Sequence, residues 1–478
     1  MTTEAASAEA PRGAPADAMQ TGATPWPAAS TAWYTVLILI LSQTSAMLDT
    51  GVVPYLAPYI KKDLHLSDLD LSWLLGASFG LFYTLVGVPL AFFIDRFARK
   101  WILLFGIATW SIGTALCGMA QNFGQFFVAR FVVGAGEAVN GPTSYSIIAD
   151  LFPREKLARG IGTMQLGAVL GPGIALFFSA FLIARFAAIA PIPVAFGVIR
   201  GWQLVFLIVG LPGVLIALLM ATTLREPARH HIANQIDASL ASQPRSVGAG
   251  LTTWFKDFGA AFRYLFKHGN VYGVLFSGLA FSSLQSGTGQ WMPIFYQRTF
   301  GWNPADVAKL NGIVQLIGVP LFIFIGVKMM EWFDKRGRND GPFWALIISR
   351  IAALPLSLIA PLVHNAWLSW SLFSLALITV GMAGPSQNVA MQTITPTALR
   401  GKLTALYLLI FSVVGYSIGP FVTAIIEDLV LHDESQIKWA IFASTAIFAP
   451  VSLLVFCFGV KPYSREVARI KNLEVANG

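Results

Sequence analysis

Twelve apolar runs, each about 20 residues long, occupy most of this chain. A bilayer core about 30 Å thick takes roughly 20 apolar residues per helix, and in hydrocarbon each backbone amide must be satisfied within its own helix or a closed barrel. Runs of that length, repeated twelve times, predict an all-α membrane protein with twelve spanning helices. They begin near Trp33, Leu71, Trp101, Gly124, Gly160, Trp202, Asn270, Asp306, Phe343, Trp367, Gly401 and Ile437, and are called helix 1 to helix 12 below. Composition agrees, because 55% hydrophobic against 12% charged residues is too apolar for a soluble domain of 478 residues.

The net charge of +8 does not point to nucleic acid, because of where the charges stand. About two-thirds of the 32 Lys and Arg lie in the connections after helices 2, 4, 6, 8 and 10 and in the C-terminal tail. By the positive-inside rule both termini are then cytoplasmic, and the chain is a multi-pass protein of the cell (inner) membrane. Residues 1–32 are rich in Ala, Pro, Ser and Thr and read as a disordered cytoplasmic tail, not as a secretory signal, which needs a basic start and a short apolar core. Cys117 and Cys457 sit in apolar runs and imply neither a disulfide framework nor a thiolate metal site. All six histidines fall in connections or at helix ends, and no phosphate-cradling G-x-x-x-x-G-K-[ST] loop occurs. A membrane-embedded enzyme therefore lacks its usual groups, no metal or other cofactor is expected, and an ion gradient is a better energy source than ATP. A receptor built on a transport fold would keep the architecture without net flux.

The longest internal hydrophilic stretch separates six helices from six. It divides the chain into a bundle over 33–222, a linker over 223–269, a second bundle over 270–460 and a cytoplasmic tail over 461–478. Within the linker, "LTTWFKDFGAAFRYLFKH" places Trp254, Phe258, Phe262 and Leu265 at helical spacing with Lys256, Arg263 and Lys267 around them, as in an interfacial amphipathic helix or a plain tether. The halves echo each other. "IDRFARK" from Ile94 answers "FDKRGRN" from Phe333, "GPTSYSIIADLFPREKLARG" from Gly141 answers "GPSQNVAMQTITPTALRG" from Gly384, and "GAVLGPG" in helix 5 answers "GYSIGPF" in helix 11. Three pairs in one order indicate a duplicated bundle, a common plan among transporters.

Over residues 33–460 the chain resembles the major facilitator superfamily. Asp95 to Lys100 match that family's signature between helices 2 and 3, with Ala91 where glycine is usual. Within the superfamily, "RFVVGAGEA…SIIADLFPREKLARG" and "GTGQWMPIFYQRTFGW" are similar to the Spinster group, although Thr50 follows Asp49 where that group carries arginine. The resemblance implies alternating access, proton coupling through charges on helices 1 and 4, and a lysolipid- or sphingolipid-like substrate. It also implies a cytoplasmic latch at Asp95, Arg96, Arg99 and Lys100.

The residues themselves single out a site. Arg130 and Glu137 are seven apart in helix 4, hence on one helix face about two turns apart. Charges facing lipid cost several kcal/mol, so the pair is expected to face a bundle interior or a wet cavity, as a working site or a static interhelical bridge. Asp49 stands mid-way along helix 1 and needs a partner, for which Arg130 is the candidate. Two carboxyls sharing one guanidinium give a group able to carry a proton, and Asp49 and Glu137 are the expected proton-coupling residues. Asn140 would orient Glu137 or make an interhelical hydrogen bond. Asp150 and Arg159 are expected to join the cytoplasmic gate, with Asp334 as the counterpart of Asp95 in the second half. Gly167, Gly171 and Pro172, with Gly415, Gly419 and Pro420, provide close helix approach and bending. The second half offers amides and an aromatic ring as ligand contacts: Gln285, Gln290, Trp291, Asn311, Gln315, Gln387, Asn388 and Gln392. Arg350, near the start of helix 9, is expected to snorkel to the interface. The sum is a monomeric, proton-coupled secondary transporter of a small amphipathic or organic anion, the aromatic-acid carrier being the alternative to the lipid carrier.

Overall fold

The structure is a computed structural model that describes residues 26–194, 197–229, 259, 262–396 and 399–477. Ten helical stretches among these are long and apolar enough to cross a membrane. Helix 1 is Ala29–Leu64, helix 2 spans 68–96, helix 3 is Arg99–Cys117, helix 5 spans 154–187 and helix 6 is Gly201–Thr223. In the second half helix 8 is Pro304–Lys335, helix 9 Gly341–Leu362, helix 10 Ala366–Ile394, helix 11 spans 400–431 and helix 12 is Ile437–Asn477. Helices 4 (123–151) and 7 (269–300) complete the expected twelve as interrupted rods, broken at residues 138–139 and at Thr288–Trp291.

Three features depart from the expectation. Helix 12 does not end near 460 but continues to Asn477 through Pro462, so most of the expected tail is a helical extension. A small antiparallel hairpin, β1 (Ile192–Val194) with β2 (Gly197–Ile199), links helices 5 and 6. Of the amphipathic stretch 251–268, Trp254 and Phe258 lie outside the described residues, while 262–267 are helical.

Each half packs as its own bundle. Helix 1 lies against helices 5 and 6, helix 3 against 4 and 6, helix 7 against 11 and 12, and helix 9 against 10 and 12. Helix 4 wedges between helices 2 and 3 because two of its residues have no side chain. A Cβ on Gly134 would stand 2.6 Å from the Phe79 carbonyl oxygen, and one on Gly136 would stand 2.6 Å from the Trp110 nitrogen. Small residues let helix backbones approach closely in a medium where no hydrophobic force drives helices together. That close fit fixes the rotation of helix 4, and hence the direction in which Arg130 and Glu137 project.

The halves meet through helix 2 with helix 11 and helix 5 with helix 8. At the first crossing Gly76 and Gly80, four apart, lie on helix 11: a Cβ on Gly76 would fall 1.9 Å from the Tyr416 carbonyl oxygen, and one on Gly80 2.5 Å from Ser417 Oγ. At the second, Gly173 abuts Leu316. Call the face bearing the termini and the basic connections the basic face. On the opposite face an ionic cluster ties the halves. Arg298 of helix 7 donates to Asp68 at 2.6 and 2.8 Å and to Glu427 of helix 11 at 2.7 Å, while Lys61 reaches Asp68 at 2.6 Å and Glu434 at 2.8 Å. The Asp428 carboxylate accepts from the Leu69 amide at 2.8 Å, placing an anion at the positive N-terminus of helix 2. Towards the basic face, the second segments of helices 4 and 10 (Asn140–Leu151 and Ala383–Ile394) pack within their own halves.

Candidate functional site

A central cavity of about 480 Å³ lies between the halves, within the size range of small-molecule sites. The first half lines it with Thr50, Tyr55, Phe79, Arg130 and Pro172, the second with Gln285, Gln290, Asn311, Gln315 and Arg350, among others. The duplication explains part of this wall. Superposing Gly141 on Gly384 puts Phe373 and Val380 of helix 10 where Arg130 and Glu137 stand in helix 4, and both Phe373 and Val380 line the cavity. The same helix face was thus kept towards the interior in both halves, polar in one and apolar in the other.

Arg130 is 2% exposed, its Cζ stands 5.2 Å from the centroid of the Phe79 ring, and its Nε makes no hydrogen bond. Asp49 and Glu137 are also buried but lie behind the cavity wall. Asp49 has the Thr114 hydroxyl and the Arg130 charge beside it, and Glu137 feels both Asp49 and Arg130. Neither acid makes a direct ion pair with the guanidinium: both Asp49 oxygens and Glu137 Oε1 make no hydrogen bond of ordinary geometry. The expected pairing of Asp49 with Arg130 is therefore a through-space interaction rather than a contact. The static-bridge reading fails for the same reason. The arrangement leaves Arg130 able to take a ligand anion.

The other expected residues divide. Gln285, Gln290, Asn311 and Gln315 face the cavity. Asn311 accepts from Trp370 Nε1 at 3.1 Å and donates to the Tyr55 hydroxyl at 3.0 Å, joining the halves across the site. Trp291 is not a cavity residue: it is fully buried and its indole donates to the Pro420 carbonyl at 2.9 Å, pinning the break in helix 7 to helix 11. Gln387 is buried and accepts from the Tyr407 hydroxyl at 2.8 Å, Asn388 is exposed and turns back to its own Gly384 carbonyl, and Gln392 is exposed. Asn140 holds helix 4 to helix 1, donating to Gln43 and accepting from Ser42, an interhelical tie. Gly167 and Gly171 bring helix 5 to within van der Waals contact of Ile40 and Thr44 of helix 1, Gly415 contacts Ser283, and Gly419 lies on Gly287. Pro172 lines the cavity itself. Cys117 is buried, Cys457 exposed, and both are free.

Arg350 departs most from expectation. It does not snorkel: it is 5% exposed, lines the cavity and donates to the Ser282 hydroxyl, while its Nε makes no hydrogen bond. Its position seven residues past the start of the apolar run at Phe343 was the available signal, because snorkelling serves residues at the ends of a span.

On the basic face, a charged cluster of the first half is built around Arg99. Arg99 is buried and holds Asp150 of helix 4, Glu226 at 2.9 Å and the carbonyls of Ser146 and Pro227 at 3.0 Å each. Glu226 also accepts the Lys100 amide at 2.7 Å, and Lys100 Nζ reaches the Ala221 carbonyl at 2.9 Å. Glu226, just past helix 6, was missed in the sequence, where nothing distinguishes it from other linker charges. Arg96 and Arg159 are exposed, and the side chain of Asp95 lies outside the described ones. In the second half Asp334 is exposed, and Arg338, in register with Arg99, holds Asp340 in a two-point pair at 3.0 Å each. The hydrogen bond from Arg338 keeps the Asp340 carboxyl below the usual carboxylate range. Removing one partner of a buried pair leaves an uncompensated charge, which costs about 3–5 kcal/mol. Asp150→Ala should accordingly lower the melting temperature of the detergent-purified protein, whereas Asp334→Ala leaves it unchanged.

The sequence matches the Major Facilitator Superfamily over residues 39–420. It is 24% identical over 359 residues to a probable L-galactonate transporter of Escherichia coli (strain K12), covering 73% of each chain. It is 22% identical over 415 residues to the protein spinster of Drosophila melanogaster, covering 84% of this chain and 62% of that one. Among solved structures, a bacterial homologue of the human lysosomal transporter Spinster, in an inward-facing and unoccupied conformation, superposes with a TM-score of 0.73 at 23% identity, covering 92% of this chain and 98% of the other.

Proposed function

This chain belongs to the Major Facilitator Superfamily, a multi-pass transporter of Spinster-like fold, and on that premise we propose that it is a proton-coupled carrier of organic anions working by alternating access. The observation that carries the reading is the separation of roles around one cavity. Arg130 faces the cavity with no carboxylate bound to it, and Asp49 and Glu137 stand out of the ligand's reach but within the field of the guanidinium. An anion on Arg130 and a proton on either acid each alter the same local charge balance, so each shifts the energy of one access state relative to the other. That shared effect is what couples two fluxes.

The basic face is cytoplasmic in this reading, as are both termini. With the opposite face tied by Arg298, Asp68, Lys61 and Glu427, the conformation described is then the inward-facing one. The aromatic wall formed by Phe79, Tyr296, Trp370, Phe373 and Phe411 supports a substrate with an apolar body behind its acidic head. A lysolipid-like amphipath and an aromatic acid both fit that description. Thermal-shift screening of lysolipids and aromatic acids against the purified protein should find a stabilising ligand whose effect is lost in Arg130→Gln. That ligand should accumulate in proteoliposomes when an inward proton gradient is imposed. Flux indifferent to the pH gradient would remove proton coupling, and an Arg130→Gln variant that binds normally would remove the anion site.

A further inference from the structure

The central cavity receives a guanidinium from each half. Arg130 projects from helix 4 and Arg350 from helix 9, and the two helices do not correspond under the internal duplication: the position equivalent to Arg130 is Phe373. Arg350 is therefore not a relic of a repeated charge but an addition peculiar to the second half. It is nearly sealed from the surface, and among the described residues it makes no ion pair and its one side-chain hydrogen bond goes to the neutral hydroxyl of Ser282. Tyr407 is the titratable group that acts on it. The buried acids of the central region, Asp49 and Glu137, act on Arg130 and belong to the first half. A buried cation without a counter-ion is costly, and such a residue in a membrane span is by default part of a substrate or ion pathway.

We propose that Arg350 is a second anion-binding residue, and that the substrate carries two separated acidic groups, one held by Arg130 of the first half and one by Arg350 of the second. The inference rests on the reading of the cavity as an organic-anion site and narrows it. A ligand of this kind spans the halves and draws them together, the use expected of charges placed on opposite walls of a closing cleft. The amides of Gln285, Gln290 and Gln315 and the apolar wall between the two arginines receive the body of the diacid.

Pairs of acids that share a carbon skeleton and differ by one carboxylate test this directly: hexanoate with adipate, and benzoate with isophthalate. Calorimetric titration of the full-length protein should show at least one diacid binding about tenfold or more tightly than its monoacid. Arg350→Gln should bring that diacid down to the level of its monoacid, and Arg350→Lys should retain a preference for the diacid. Arg130→Gln weakens both members of the pair. A wild-type protein that binds neither diacid better than its monoacid overturns the proposal whether or not any variant folds, as does an Arg350→Gln protein with an unchanged preference. Binding needs no gradient, so a diacid preference without pH-driven flux would remove proton coupling and leave the second anchor standing. Flux of monoacids without any diacid preference would do the reverse.

Discussion

Glu137→Gln and Asp49→Asn should each cut uptake driven by a pH gradient by about 5- to 150-fold, the range of coupling free energies between linked sites. Exchange of labelled for unlabelled substrate at equal pH should persist. Glu137 meets Asp49 from helix 1, Arg130 from its own helix, Tyr83 from helix 2 and Tyr416 from helix 11 of the other half. Asp49 meets Arg130 and, from helix 3, Thr114 and Cys117. The through-space interaction of Glu137 with Tyr416 gives it a line to the seam between the halves, because the Tyr416 backbone is what Gly76 packs against. A proton arriving at Glu137 changes the charge facing that seam, and an amide in its place freezes the charge at zero. Gradient-driven uptake at wild-type rates in both variants would show that the proton travels elsewhere.

Gly76→Ala should trap the protein away from the conformation described here. The added methyl would stand 1.9 Å from the Tyr416 carbonyl oxygen, and backbone cannot retreat as a flexible side chain can. Helices 2 and 11 must part, and the ionic cluster around Arg298 must open with them. A single cysteine introduced as Gln290→Cys, in a background with Cys117→Ala and Cys457→Ser, should resist a membrane-impermeant maleimide added from the face opposite the termini. With Gly76→Ala added, the same cysteine should label at least about tenfold faster, corresponding to a shift of about 1.4 kcal/mol between the two states. Equal labelling would mean that the seam can absorb a methyl and does not set the equilibrium.

The twelve spans and the two-fold plan were legible because hydrocarbon imposes a length and a composition on any crossing segment, and because the paired motifs around Gly141 and Gly384 survive in order. Arg130, Asp49 and Glu137 were legible as charges where charge is costly. What could not be read was which neighbour each group would find. Asn140 and Gln387 carry the same amide as Gln285, yet they tie helices while Gln285 faces the cavity, a difference set by helix rotation and not by residue type. The cluster of Lys61, Asp68, Arg298 and Glu427 draws on residues more than 350 positions apart, none conspicuous alone. Arg350 was expected to snorkel although its run begins near Phe343, seven residues earlier, and the structure, which starts helix 9 at Gly341, sets it deeper in the span. The gate charges were legible in part. Arg99 and Asp150 were both expected there, but their pairing with each other, and that of the exposed Arg338 with Asp340, depends on helix placement that the sequence does not print.

Among the described residues, two carboxyl groups and two guanidinium groups stand near the middle of this protein: Asp49, Glu137, Arg130 and Arg350. With all four ionised their formal charges cancel. A membrane potential exerts about 2.3 kcal/mol per elementary charge for every 100 mV, so a lone arginine would make the empty carrier's return an electrical event. In the carrier proposed above, a balanced quartet makes that return electrically silent, and the voltage can then act only through whatever charge the cargo and its protons leave uncancelled.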